Sequence, residues 1–132
     1  MGNSEGHMVL TLAILKKCYS IHRFAPDSII PEMVLQSDFY TVSRTDEELS
    51  IVCDSAIDLK APKSEKDWRI IKIVGPLDFS LTGILAEISA VLAGVQVPIF
   101  ALSTFDTDYI LIRNDHIEEA KKALLQAGYH FL

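Results

Sequence analysis

The chain is short of almost everything that would announce a chemistry. Two cysteines are too few for a disulfide framework, and neither Cys18 nor Cys53 lies in a CxxC pair or near a Cys or His partner. Both read as free, mostly buried thiols. Twelve Lys and Arg against 18 Asp and Glu leave a net charge of −6, which argues against a phosphate-tracking surface and so against nucleic acid as a partner. No apolar run reaches the roughly 18–20 residues of a membrane span. No charged-then-apolar signal peptide opens the chain, so a cytoplasmic address without membrane contact is expected. Gly75-Pro-Leu-Asp78 lacks the glycines and lysine of a phosphate loop. Ser103, Thr104, His22, His116 and His130 show no nucleophile pattern, so no catalytic residue is assigned and no enzyme is expected. Asp106 and Asp108, two carboxylates without further oxygen ligands, make a poor metal cage. Neither a metal nor any other cofactor is expected.

What remains is an ordinary globular composition, 49% hydrophobic and 23% charged. The 132 residues fit one compact domain or two half-domains sharing a core. Met1–Met8 is polar and Gly-rich and ends in a second Met. It reads as a vector-derived or disordered leader and is set aside from the fold.

The strongest internal signal is repetition. Leu102-Ser-Thr-Phe-Asp-Thr-Asp-Tyr-Ile-Leu-Ile112 aligns without a gap with Val42-Ser-Arg-Thr-Asp-Glu-Glu-Leu-Ser-Ile-Val52, 60 residues upstream. Asp46 then faces Asp106 and Glu48 faces Asp108. The same offset lays Val9–Ile14 over Arg69–Val74. Two copies of one small unit are implied, each with an acidic hairpin tip.

Along the first copy, Val9–Leu15 has strand length and Cys18–Phe24 is a second extended candidate. Pro26 and Pro31 keep any helix between Ser28 and Gln36 short. Phe39–Ser43 and Leu49–Cys53 form a hairpin around Arg44–Glu48, and the charged stretch Ile57–Lys66 reads as a linker. The second copy is cleaner. Arg69–Val74 is a strand. Leu81, Ile84, Leu85, Ile88, Val91 and Leu92 recur at helical spacing, with Ser80 or Thr82 as cap and Gly94 as stop. Val97–Thr104 and Tyr109–Arg113 flank the acidic tip. Asp115 and Glu118 make a capping box for a helix carrying Ile117, Ala120, Leu124 and Ala127 and ending at Gly128. Tyr129–Leu132 closes the unit as a strand. The order from Arg69 is β-α-β-β-α-β, an α+β unit whose antiparallel sheet carries both helices on one face.

Three stretches carry a family resemblance: Ile71-Lys-Ile-Val-Gly-Pro-Leu-Asp78, Thr82-Gly-Ile-Leu-Ala-Glu-Ile-Ser-Ala-Val-Leu-Ala-Gly94, and Ile99-Phe-Ala-Leu-Ser-Thr-Phe-Asp-Thr-Asp-Tyr-Ile-Leu-Ile112. They resemble ACT domains, small βαββαβ modules of ferredoxin-like fold that bind amino acids. Gly83 takes the place of the glycine at the first ACT helix, and Thr82 stands where most members have Pro. The Ser-Thr-Phe-x-x-Asp stretch is similar to tandem ACT proteins, a group that includes small bacterial proteins and the animal arginine sensors of the mTOR pathway. The resemblance implies a truncated ACT-like unit over 9–62, a complete ACT domain over 63–132, and binding in place of catalysis. Its ligand would be a free amino acid in the cleft between ACT units or subunits. Carried over by position, the contacts would come from Asp78, Phe79, Ser80, Leu81 and Thr82 in the loop, then Thr104, Phe105 and Asp108. Ser80-Leu81 stands where the sensors carry acidic residues, so arginine is not implied as the ligand.

Each of these residues also has a plainer role. Unpaired N–H groups and partial positive charge at a helix N-terminus suit an α-carboxylate, while Ser80 also serves as an ordinary cap. Asp106 fits a turn, since Asp bonds nearby backbone N–H groups; Asp108 opens a strand, where that role is less needed. Phe105 and Tyr109 are packing residues before they are ligand stackers. A homodimer formed through sheet or helix pairing would remove exposed sheet edges. With no enzyme domain attached, any output would pass in trans to a separate protein partner. The alternative is a structural ACT module that has lost its ligand.

Overall fold

The computed structural model describes residues 10–74 and 83–132. Its elements run β1 (Thr11–Ile14), β2 (Tyr19–Phe24), β3 (Thr41–Arg44), β4 (Leu49–Asp54), β5 (Lys63–Ile73), α1 (Ile84–Gly94), β6 (Phe100–Ser103), β7 (Asp108–Arg113), α2 (Ile117–Gln126) and β8 (His130–Phe131). The chain divides into two compact units. One joins the N-terminal stretch through Leu15 to Arg69–Leu132, and the other is Lys16–Trp68. The single strand β5 therefore gives its first residues to one unit and its last to the other.

In the larger unit the sheet order is β8-β1-β5-β7-β6. β8 runs parallel to β1, and β1 is antiparallel to β5 with Leu12 opposite Ile73 and Ile14 opposite Ile71. From Arg69 onward the order is the expected β-α-β-β-α-β, with β1 inserted between its first and last strands. Residues two apart on a strand share a face. Ile71 and Ile73 of β5 and Ile110 and Ile112 of β7 accordingly meet Ile88 and Leu92 of α1 and Ile117, Ala120 and Leu124 of α2 in one core. Both helices therefore cover the same side of the sheet. Each large aliphatic fully buried there contributes about 1.5–3 kcal/mol relative to exposure.

The helix ends depart from expectation in two respects. Gly94, expected as the stop of α1, is its last helical residue, and the left-handed residue that follows is Gln96, with φ of 60°. Asp115 and Glu118 do not make a capping box: residues 114–116 form a 3-10 turn, and α2 starts after His116 with no side-chain cap. The turn lifts Asp115 off the cap position, and the Ile117 N–H bonds the Asn114 carbonyl instead. At the other end Gly128, with φ of 101°, takes the left-handed conformation that stops α2, and the Tyr129 N–H reaches back 3.1 Å to the Leu124 carbonyl. Gly83 precedes α1 with φ of 80° and offers no side chain as a cap. The caps expected at Ser80 and Thr82 lie outside the described residues. The Tyr129 hydroxyl, one residue ahead of β8, donates to the Glu87 carboxylate on the exposed side of α1.

The smaller unit is an antiparallel sheet of order β3-β4-β2-β5. Its core is Leu49, Ile51 and Cys53 of β4 with Val34 and Leu59. Between Ser28 and Gln36, where any helix was expected to be short, a 3-10 turn, Glu32–Gln36, follows Pro31 and buries Val34. The supposed linker 57–66 is a correction. β5 begins at Lys63 and pairs Arg23 with Lys63 and His22 with Ser64. Lys63–Asp67 stays exposed on the strand, so backbone pairing alone makes it β and no apolar alternation marks it. Cys53 is buried, and burial pushes its thiol up to about 11, while Cys18 is half-buried; neither forms a disulfide. The Tyr19 hydroxyl, itself raised by burial, donates to Asp38 at 2.9 Å, and that bond holds Asp38 below the usual carboxylate range.

His22 is 4% exposed and its Nδ1 lies 2.7 Å from the Ser64 hydroxyl. Burial lowers its pKa below the ordinary 6.5. The unfolded chain thus binds a proton that the folded chain resists, and the stability from neutral His22 is complete above about 6.5 and lost as the pH falls toward the folded value. Urea midpoints are expected to drop between about pH 7 and 5, and His22→Gln to flatten that slope. A slope unchanged in the variant would assign the acid sensitivity elsewhere.

Candidate ligand-binding site

Of the residues expected to hold a ligand, Asp78, Phe79, Ser80, Leu81 and Thr82 lie outside the described residues. The structure describes their flanks. Val74 follows β5 and its N–H bonds the Thr11 carbonyl at 2.9 Å, and Gly83 leads into α1. Thr104 and Phe105 lie in the turn between β6 and β7, and Asp108 opens β7 directly after it. The Thr104 N–H and hydroxyl both bond the Thr107 carbonyl, at 2.9 and 3.2 Å. Asp108 accepts from the Ser103 hydroxyl at 2.6 Å across the closing pair of the hairpin, which orients its carboxylate. Phe105 is 81% exposed, so its ring is no core element. Packing, the plainer of its two readings, is set aside.

Thr107 was not singled out from the sequence, yet it anchors the turn. It is 4% exposed, and its hydroxyl donates at 2.6 Å to the carbonyl of Ile73, the last residue of β5. The turn is thereby fixed to the end of the strand that precedes residues 75–82 in the chain. Thr107→Val removes the donor and strands a buried carbonyl, which costs about 1–3 kcal/mol. Thermal unfolding is expected several degrees lower; an unchanged Tm would mean that the bond contributes nothing.

The hairpin registers revise the repeat. Arg44 pairs with Leu49 at the end of the first hairpin and Ser103 with Asp108 at the end of the second. Equivalent positions are thus 59 residues apart, one fewer than the gapless alignment. Thr45 now matches Thr104, and both donate their N–H to the carbonyl three residues on, at 2.9 Å. The two tips share this threonine turn and an acid two residues into it, Glu47 in the first and Asp106 in the second, whereas Glu48 now matches Thr107. Asp108 matches Leu49, which is fully buried, so the second hairpin has a carboxylate where the first has a core residue.

Among the described residues no cluster of His, Cys, Asp or Glu is arranged to hold a metal ion, and no helix is long and apolar enough to cross a membrane. A β-α-β-β-α-β unit with both helices packed on one face of its sheet has the ferredoxin-like α+β fold. The match to the ACT domain model over residues 63–126 makes this specific, and a second model, of an N-terminal domain, matches 17–57. A solved protein of Agrobacterium tumefaciens is 33% identical, with a TM-score of 0.88 over 96% of this chain and 94% of that one. Residues 63–126 thus match the ACT domain family. Its sequence is also 36% identical over 87 residues to the mouse cytosolic arginine sensor for mTORC1 subunit 1, covering 60% of this chain and 26% of the sensor. It thus spans about a quarter of the length of that relative. The regulatory subunit of aspartate kinase from Thermus thermophilus shares the fold, with a TM-score of 0.66 at 16% identity over 91% of this chain and 99% of that subunit.

Proposed function

We propose that this protein is a non-catalytic sensor that binds a free amino acid at the β6–β7 turn and at the loop leading into α1. The reading rests on one observation above the rest: Asp108 is an oriented carboxylate at a position that its own repeat fills with buried Leu49. A residue there for packing would be apolar, as in the first hairpin. In this reading Asp108 meets a cationic group of the ligand, Thr104 and exposed Phe105 border it, and Asp78–Thr82 receive the α-carboxylate at the helix N-terminus. The similarity to a protein named as an arginine sensor and the shared fold with an aspartate kinase regulatory subunit support amino-acid recognition as the class of function. The protein would act in the cytoplasm, as a homodimer, and pass its signal to a separate partner.

Thermal-shift measurement against each of the twenty amino acids tests this. A ligand that binds only the folded chain adds RT ln(1 + [L]/Kd), about 2.7 kcal/mol at a hundredfold excess over Kd. At least one amino acid is expected to raise Tm by several degrees. A flat response to all twenty would leave the second reading, an assembly module whose Asp108 serves only to hold Ser103 within the hairpin.

A further inference from the structure

The smaller unit contains a cavity of about 310 Å3 that the amino-acid reading does not use. That volume is at the lower end of small-molecule sites, roughly 300–1,000 Å3. It opens over β2 and β5, where His22 and Ser64 are register partners, and is walled by the segment 55–61. Its lining is polar for a space beside an apolar core. Ser20, Ser55 and Ser64 line it, with Lys60, Lys66 and Asp58.

Three features define what it accepts. Lysines outnumber carboxylates on its wall two to one, and Asp58 already turns one oxygen to the Lys60 N–H at 2.9 Å. Ser20 and Ser55 lie 2.8 Å apart, paired with each other at the margin. Within the wall, His22 uses Nδ1 on Ser64, while its Nε2 is buried with no partner among the described residues. Nε2 is closed to solvent, so the His22 ring backs the wall and is coupled to an occupant through Ser64, the lining residue that it bonds. Lys60 also holds a left-handed backbone, φ of 53°, uncommon for a residue with a side chain.

We propose that this cavity binds a small oxyanion, the carboxylate or phosphate of a metabolite, through Lys60, Lys66 and the serine hydroxyls. The site is independent of the amino-acid reading and lies wholly within Lys16–Trp68.

Two-dimensional NMR of the full chain tests it, with inorganic phosphate and succinate as separate probes and sodium chloride at matched ionic strength as control. Saturable shifts are expected at the His22 ring and at the amides of residues 55–66. A response to phosphate alone would identify a phosphate site, to succinate alone a carboxylate site, and to both a general oxyanion site. The Lys60→Gln, Lys66→Gln double variant is expected to bind at least about tenfold more weakly, since charge-assisted hydrogen bonds are the strong ones. Both lysines are exposed, and an overlaid spectrum elsewhere reports that the variant is folded; Lys66→Gln alone repeats the test if it is not. Shifts that match the chloride control, fail to saturate, or persist at equal affinity in the variant overturn the proposal.

Discussion

Truncating Leu124 to Ala is expected to destabilise the protein by about 2–5 kcal/mol, while the same change one residue on, at Leu125, is expected to cost less than about 1. The pair isolates burial from helix propensity, because both substitutions replace Leu by Ala in the same turn of α2. Leu124 is fully buried against the sheet in the core with Ile110 and Ile112; Leu125 is 48% exposed. The upper end of the Leu124 effect approaches the whole stability of a small domain, about 5–15 kcal/mol, so the variant can be partly unfolded at room temperature. Urea denaturation of the two variants decides the matter. Equal losses would mean that α2 presents a different face to the sheet, and the turn at Thr104–Asp108 would lose the framework that positions it.

The second large effect falls on ligand binding. Asp108→Asn keeps the side chain's shape and an acceptor for the Ser103 hydroxyl but removes the charge. A hydrogen bond to a charged group is worth roughly 1.5–3 kcal/mol, so affinity for a ligand with a cationic side chain is expected to fall about 10- to 150-fold. A ligand with a neutral side chain should lose less. Isothermal titration of wild type and variant with the amino acids that raise Tm measures both numbers. Equal losses for both ligand types would return Asp108 to a purely structural role in the hairpin.

How much of this was readable depended on whether burial was one-sided. Ile84–Leu92 and Ile117–Leu124 sit on amphipathic helices, so their 3.6-residue spacing survives in the chain and their elements were legible, as was the β-α-β-β-α-β order. Lys63–Asp67 was illegible for the opposite reason: a paired strand with wet side chains leaves no period. The capping box at Asp115 was a local pattern overridden when a 3-10 turn shifted the start of α2. Of the repeat, the two hairpins correspond, but the gapless alignment matched acids by likeness, whereas the hairpins match by which residues close the turn, and β1, read as part of the first copy, lies in the unit of the second. That single-residue difference turned Asp108 from a shared feature into a distinguishing one. Thr107 could not be found from the chain, since only its bond to Ile73 separates it from any polar turn residue. His22 and Ser64 lie 42 positions apart and meet only through the pairing of β2 with β5.

The central claim is that an amino acid binds beside Asp108. The most direct measurement is a crystal structure of the protein grown with the amino acid that raises its Tm most. The account predicts density for the ligand with its α-carboxylate against Asp78–Thr82 at the start of α1 and a cationic group within hydrogen-bond reach of Asp108. Density for the amino acid elsewhere, with Asp108 bonded only to Ser103, would contradict it.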